Sequence, residues 1–386
     1  MTQSGFRAPP LKERAVKKLV ALLAAIGCAT TGCTDAPPQS ASACPGAEIY
    51  ALYSDFKSAR VGSILADGTA QDVTGADLGA DVMLAAHGAD ALLLARDFDT
   101  VLTLSPGCGL PQSQVALRAS AMSPLLNPQD AARSSDGALW VANFASIPLL
   151  RVAPDGSKWP MTLADVDDDG EPQATFVHRY EHDGREEMVT WFARLSNADF
   201  TPKSTARIVF VDPKTMRETR RTDTQSWNLF GALDVHANEA YAAAPGSFSS
   251  AIETRAGIEQ LDMLQGRSTL LVSESTLGGS PTSVRVSGNC GSAIVVDSSE
   301  ARRTTLVSFD TRSPDRSVRT AIAPTSGYSL TGLAWAHEVL FVGDRQDKRG
   351  RVRRFTKSAD CTLLETLPPV ETRGLPFVLA AVTPPL

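Results

Sequence analysis

The sequence predicts an all-β protein folded as a single β-propeller, with seven four-stranded blades as the preferred count. Short β-rich units recur at intervals of about 45–50 residues, a period typical of propeller blades. After the N-terminal region, no segment keeps apolar residues at helical spacing over three turns. The two ends of the repeat region also carry complementary parts of one unit. These three observations together favour a closed ring of repeated sheets.

One unit defines the repeat. It runs from Asn127 to Ser157, NPQDAARSSDGALWVANFASIPLLRVAPDGS. Ser134–Gly137 supplies a hairpin turn, because an Asp-Gly pair tolerates the positive φ angles that tight hairpins require. The run ALWVANF has the apolar and aromatic content of a buried central strand, and PLLRVAPDG forms the next strand with its own turn.

Five further units align with this one and begin near residues 82, 174, 231, 281 and 331. The start and end of the repeat region supply the seventh. Ala47–Gly68 has the pattern of a blade that lacks its first strand, and LPFVLAAVTP near the C-terminus has the pattern of a first strand alone. Joining them would close the ring and remove open sheet edges, so residues 47–386 are assigned to the propeller. The irregular region 174–228 leaves counts of six and eight open.

The first 33 residues have the features of an export signal. Basic residues precede the apolar run Leu19–Gly27, which is far shorter than the roughly 20 residues that span a bilayer. The motifs AIGC and TTGC follow, and both resemble the lipobox of bacterial lipoproteins, in which the cysteine is lipidated and becomes the first mature residue. This resemblance implies lipidation of Cys33, with Cys28 as the alternative. Residues 34–46 then form a polar linker.

Charge and the residues after the lipobox indicate partners and compartment. Without residues 1–33 the chain keeps 32 basic and 42 acidic residues, a net charge of −10. This charge argues against nucleic acid as a partner. Neither cysteine is followed by aspartate, the usual signal for inner-membrane retention in that family. We therefore expect an outer-membrane lipoprotein of the bacterial cell envelope, facing the periplasm or the surface, that contacts the membrane only through its lipid.

Four cysteines follow the predicted cleavage site. None forms a CxxC pair, so two disulfides are the expected use of an even number in an oxidising compartment. Sequence alone allows three connectivities. Because the first and third turns of a blade lie at the same end, Cys290 and Cys361 should meet between adjacent blades. We therefore predict the pairs Cys290–Cys361 and Cys44–Cys108.

The defining unit resembles the repeats of extracytoplasmic β-propellers of the YVTN/NHL kind. Those repeats begin with NP and continue with dG-lyVaN. The matching positions here are Asn127, Pro128, Asp136, Gly137, Leu139, Val141 and Asn143. Together with the N-terminus, this resemblance implies a bacterial surface lipoprotein. Such repeats are structural signatures and assign no catalytic residue.

The main chemical candidate is the loop LADVDDDGEPQ, Leu163–Gln173. Asp165, Asp167 and Asp169, followed by a glycine, reproduce the D-x-D-x-D-G opening of an EF-hand calcium loop. Glu171 is a further candidate ligand. However, Phe176 occupies the place of the final glutamate, and the flanking segments are typical of strands. The loop is therefore either a solvated acidic turn or the site of one structural calcium ion, and the fold requires no cofactor.

The five histidines form no recognisable ligand set. His87, His236 and His337 fall at the first hairpin turn of their units, which predicts separate residues held by backbone hydrogen bonds. His178 and His182 lie on one face of a predicted strand, where a metal-binding pair is the minor alternative.

These features favour a binding or scaffolding module for a protein or a glycan. The alternative is a propeller hydrolase of the lactonase type, with calcium in the central channel. The predicted innermost strands offer Asp130 and Asp234 for such an ion but no glutamate or asparagine.

Overall fold

A computed structural model describes residues 47–73, 78–87, 90–104, 111–120, 122–145, 147–161, 163–170, 172–247, 251–297, 299 and 301–381. These residues form seven four-stranded antiparallel sheets. The protein is therefore an all-β, seven-bladed β-propeller, as predicted. No helix among these residues has the length and apolar character needed to cross a membrane.

The strands are listed by blade, from the innermost to the outermost. Blade 1 contains β28 (Pro376–Ala381), β1 (Ala47–Ser54), β2 (Ala59–Leu65) and β3 (Ala70–Val73). Blade 2 contains β4 (Val82–His87), β5 (Asp90–Ala95), β6 (Thr100–Leu104) and β7 (Pro111–Ala116). Blade 3 contains β8 (Pro128–Arg133), β9 (Leu139–Asn143), β10 (Leu149–Val152) and β11 (Lys158–Met161).

The second half of the ring continues the pattern. Blade 4 contains β12 (Ala174–His182), β13 (Arg185–Phe192), β14 (Thr205–Asp212) and β15 (Arg217–Trp227). Blade 5 contains β16 (Phe230–His236), β17 (Glu239–Ala244), β18 (Gly257–Asp262) and β19 (Arg267–Ser273). Blade 6 contains β20 (Ser280–Ser287), β21 (Cys290–Val296), β22 (Thr304–Asp310) and β23 (Arg319–Ile322). Blade 7 contains β24 (Leu330–Ala336), β25 (Val339–Asp344), β26 (Gly350–Lys357) and β27 (Leu363–Thr372).

Helical structure in the described residues is limited to connections. Single α-helical turns cover Glu274–Leu277 and Pro314–Ser317. Short 3-10 turns cover Arg96–Phe98, Ala164–Val166 and Gln346–Lys348.

The hydrophobic core lies between blades, and this explains the apolar central strands. In β5, Ala91 and Leu93 pack toward blade 1, whereas Leu92 and Leu94 pack toward blade 3. Each sheet therefore buries both faces, and its second strand loses the usual alternation of apolar and polar residues. Seven such clusters fill the seven interfaces around the ring.

Ring closure follows the predicted composite blade. β28 pairs antiparallel with β1, with Ile49 opposite Ala381 and Leu52 opposite Val378. The innermost strands of neighbouring blades contact one another around the whole ring, including β24 with β28 and β28 with β4.

Because consecutive strands run in opposite directions, the connections between them lie on two opposite faces of the ring. The upper face carries the loops between second and third strands and the connections from one blade to the next. The lower face carries the turns between first and second strands and between third and fourth strands.

The predicted disulfide between Cys290 and Cys361 is present and joins blade 6 to blade 7 at the lower face. Cys290 begins β21, directly after a first turn, and Cys361 lies in a third turn, as the sequence predicts. Cys28, Cys33, Cys44 and Cys108 lie outside the described residues. The pair Cys44–Cys108 therefore stays a prediction.

Replacing both Cys290 and Cys361 by serine should lower the free energy of unfolding by about 2–4 kcal/mol, because the bond closes a loop with a sequence separation of 71 residues. Urea unfolding of the variant and of the oxidised wild type measures this difference. Peptide mapping without reductant should recover Cys290 linked to Cys361, and any other pairing of Cys290 would contradict the structure.

Candidate functional site

The acidic loop lies on the upper face, in the connection from β11 to β12. Three consecutive aspartates there surround one lysine. The Lys203 ammonium lies 2.9 Å from Asp167 Oδ1, 2.8 Å from Asp168 Oδ1 and 2.7 Å from Asp169 Oδ2. Lys203 belongs to the loop between β13 and β14 of blade 4. A side chain of this protein thus supplies a cation to the acidic loop.

The predicted ligand set is only partly assembled. Asp165 does not join the group and instead pairs with Arg221 at 2.8 Å. Asp168, which the EF-hand spacing excludes, takes its place. Phe176, at the twelfth position, is buried in the interface between blades 4 and 5. Glu171 lies outside the described residues, and a structural calcium ion stays a prediction.

Burial explains the electrostatics of this loop. The Asp167 side chain is fully buried, and burial raises the pKa of its carboxyl group. The hydrogen bond from Lys203 lowers the pKa of exposed Asp168 to about 2. Burial alone would lower the pKa of Lys203, but its bonds to three carboxylates outweigh this effect and raise it. The loop is therefore an ion-pair network that ties the connection between blades 3 and 4 to a loop of blade 4.

The two aspartates of the innermost strands connect blades. Asp130 Oδ2, on β8, accepts a hydrogen bond of 3.1 Å from the backbone nitrogen of Val177 on β12. Asp234, on β16, accepts one from the backbone nitrogen of Val286 on β20. Both carboxylates thus satisfy an inward-facing backbone donor of the following blade.

A histidine pair that the sequence analysis missed lies beside Asp130. His87 Nδ1 lies 3.2 Å from His178 Nδ1, and His87 Nε2 lies 3.2 Å from Asp130 Oδ1. His87 ends β4 and His178 lies within β12, so three consecutive blades contribute to the group. The expectation of a turn histidine held by the backbone is wrong for His87 and also for His236, whose Nε2 lies 2.8 Å from Asp234 Oδ2. His178 does not pair with His182, which contacts Glu187 at 3.3 Å instead.

Phe176 packs against both rings of this pair. Its ring centroid lies 5.7 Å from that of His87 and 6.1 Å from that of His178. Burial, together with the neighbouring His87, lowers the pKa of His178 to about 3. His178 is therefore uncharged at neutral pH.

Exposed apolar side chains collect on the upper face. Among the described residues, eight of the eleven large hydrophobic side chains that are exposed lie in its loops or at its strand ends. The eight are Phe56, Phe98, Met122, Leu125, Phe200, Phe230, Ile252 and Tyr328. Met122 is 93% exposed, and Phe200 and Tyr328 are 59% and 61% exposed. Of the other three, Trp159 and Leu364 lie on outermost strands and only Leu264 lies at the lower face.

The comparison with known proteins supports the β-propeller fold and assigns no function. No protein-family model matches the sequence, and no curated protein matches it. A putative 6-phosphogluconolactonase from Bacteroides uniformis is similar with a TM-score of 0.55, at 11% identity over 87% of this chain and 99% of that chain. A virginiamycin B lyase from Staphylococcus aureus has a TM-score of 0.50, at 12% identity over 78% of this chain and 92% of that chain.

The WD40 repeats of RRP9 are also similar, with a TM-score of 0.51 at 10% identity over 81% of this chain and 86% of that chain. At these identities the shared feature is the β-propeller itself, because one fold serves many unrelated functions.

Replacing Lys203 by methionine should lower the free energy of unfolding by about 1–3 kcal/mol, because buried Asp167 would lose the nearer of its two charged partners, Lys203 and Arg194. Calcium at millimolar concentration should then stabilise the variant more than the wild type. Thermal unfolding with calcium and with chelator measures both effects, and Lys214→Met, at an exposed turn position, is the matched control. Equal stabilisation of the wild type and the Lys203 variant would show that removing the lysine does not open a calcium site in the loop.

Proposed function

We propose that this β-propeller is a lipid-anchored binding module of the bacterial cell envelope that recognises another protein through its upper face. The observation that carries the proposal is the concentration of exposed apolar side chains in the upper-face loops. Single exposed apolar residues are normal on any surface, but their concentration on one face of a ring is characteristic of an interaction site.

The chemistry of these side chains favours a protein over a glycan. Aromatic residues stand beside aliphatic ones such as Met122 and Ile252, and large apolar side chains of this kind form the centres of protein interfaces. The residues come from loops of several blades, so they present a broad surface. The net charge of the chain after residue 33 argues against nucleic acid.

The N-terminal sequence supports attachment to a membrane. A lipid on Cys33, followed by the linker 34–46, would hold the propeller close to the bilayer, and the residues after the lipobox favour the outer membrane.

Cys33→Ala should abolish labelling of the protein by a radioactive or alkyne-bearing fatty acid and release it from the membrane fraction. Cys28→Ala is the matched control and should keep label and membrane attachment. The reverse result would assign the lipid to Cys28, and absence of label from the wild type would reject lipidation.

The hydrolase alternative lacks a supporting observation of its own. Asp130 and Asp234, the carboxylates that the innermost strands were expected to offer to a channel calcium ion, already accept hydrogen bonds from the next blade. The similarity to a putative lactonase rests on the fold alone.

A photo-reactive amino acid placed at Met122, Phe200 or Tyr328 in the full chain should form covalent adducts with one partner protein in intact cells. The same amino acid at Trp159 and Leu364 is the control, because these residues are 40% and 47% exposed but lie on outermost strands. Mass spectrometry then identifies the partner.

The purified partner should bind at least tenfold more weakly to Phe200→Ser and Tyr328→Ser than to Trp159→Ser. Equal adducts from control and upper-face positions would reject the upper face as the binding surface. Adducts removed by glycosidases and resistant to proteases would identify a glycan and reject the protein partner.

A further inference from the structure

Two imidazole rings and a carboxylate meet on the innermost strands of three consecutive blades. His87 comes from β4, Asp130 from β8 and His178 from β12. This group belongs to the ring of strands that surrounds the central axis, so it is separate from the upper-face loops. Nothing in the proposed protein-binding function uses it.

The distance between the two ring nitrogens suits a metal ion. Zinc binds imidazole nitrogen at about 2.0–2.1 Å, which in a tetrahedral site separates two such nitrogens by about 3.3–3.4 Å. His87 Nδ1 and His178 Nδ1 already lie 3.2 Å apart. The separation of the two nitrogens therefore already matches that of two ligands in a tetrahedral site.

Asp130 provides the outer partner that metal-binding histidines usually have. Its Oδ1 lies 3.2 Å from His87 Nε2, while its Oδ2 accepts the backbone hydrogen bond from Val177. A carboxylate held in this way keeps the proton of His87 on Nε2 and directs the unprotonated Nδ1 toward His178. Phe176 packs against both rings and limits their rotation.

We propose that His87 and His178 bind one divalent transition-metal ion through their Nδ1 atoms, with Asp130 as a positioning residue. Imidazole ligands suit zinc, copper and nickel, and water would complete the coordination. Each ring would present an unprotonated Nδ1 to the ion and carry its proton on Nε2.

Another pair in the same ring offers a matched comparison. His236 Nε2 lies 2.8 Å from Asp234 Oδ2, and Asp234 accepts a backbone hydrogen bond from the next blade just as Asp130 does. The structure places no second imidazole ring against His236 among the described residues. The two sites thus differ in the second histidine ring, on which the proposal depends.

The first test uses the full chain without an affinity tag at pH 7.5. Equilibrium dialysis against zinc should give one ion per chain, and electron paramagnetic resonance with one equivalent of copper(II) should show coupling to two imidazole nitrogens. A spectrum with one or no imidazole nitrogen would overturn the proposal, and this measurement needs no variant.

Variants then assign the ligands. His87→Gln and His178→Gln should each weaken zinc binding at least tenfold, and Asp130→Asn should weaken it by about 10–100-fold while keeping two coupled nitrogens. His236→Gln and His337→Gln should bind as the wild type does. Circular dichroism checks that each variant is folded. Folded variants at His87 and His178 with unchanged affinity would overturn the proposal.

Discussion

The whole architecture depends on the pairing of β28, a strand of six residues near the C-terminus, with β1. β28 supplies the innermost strand of blade 1 and serves two interfaces at once. Leu379 packs in the cluster between blades 7 and 1, and Ala380 packs in the cluster between blades 1 and 2. Without β28, the inner edge of β1 would expose its hydrogen-bonding groups and both clusters would open.

Two residues of β24 in blade 7 allow β28 to pack closely against that strand. Gly332 of β24 has a φ of 58°, and a Cβ atom there would lie 2.7 Å from the backbone nitrogen of Leu379. Only glycine allows both the conformation and the close approach. Thr331 adds a side-chain hydrogen bond of 2.7 Å to the backbone oxygen of Pro376. These close contacts help to hold β28 beside β1, although the two strands are more than 300 residues apart in the sequence.

The repeat was predictable from sequence because each blade obeys a local rule. A strand such as ALWVANF is apolar on both faces, since Trp140 packs toward blade 4 and Val141 toward blade 2. The two groups of polar residues were not predictable, because they join distant parts of the chain. Lys203 reaches an acidic loop more than 30 residues earlier, and His87 meets His178 across an intervening blade. Local periodicity carries no information about such contacts.

The difference between the two faces follows from the lengths of their connections. Lower-face turns between first and second strands are short, such as Asp183–Gly184, and their backbone geometry is set by the hairpins they close. Several upper-face loops are longer and can hold residues that the blades do not need. In blade 4, three carboxylates bind Lys203 and so hold the loop that contains Phe200. The ring centroid of Phe200 lies 6.0 Å from that of Phe144 of blade 3. A loop that is ordered before binding loses less conformational entropy when a partner arrives. If the upper face binds a protein as proposed, the ion pairs in the acidic loop would contribute to binding by holding the neighbouring apolar residues in place.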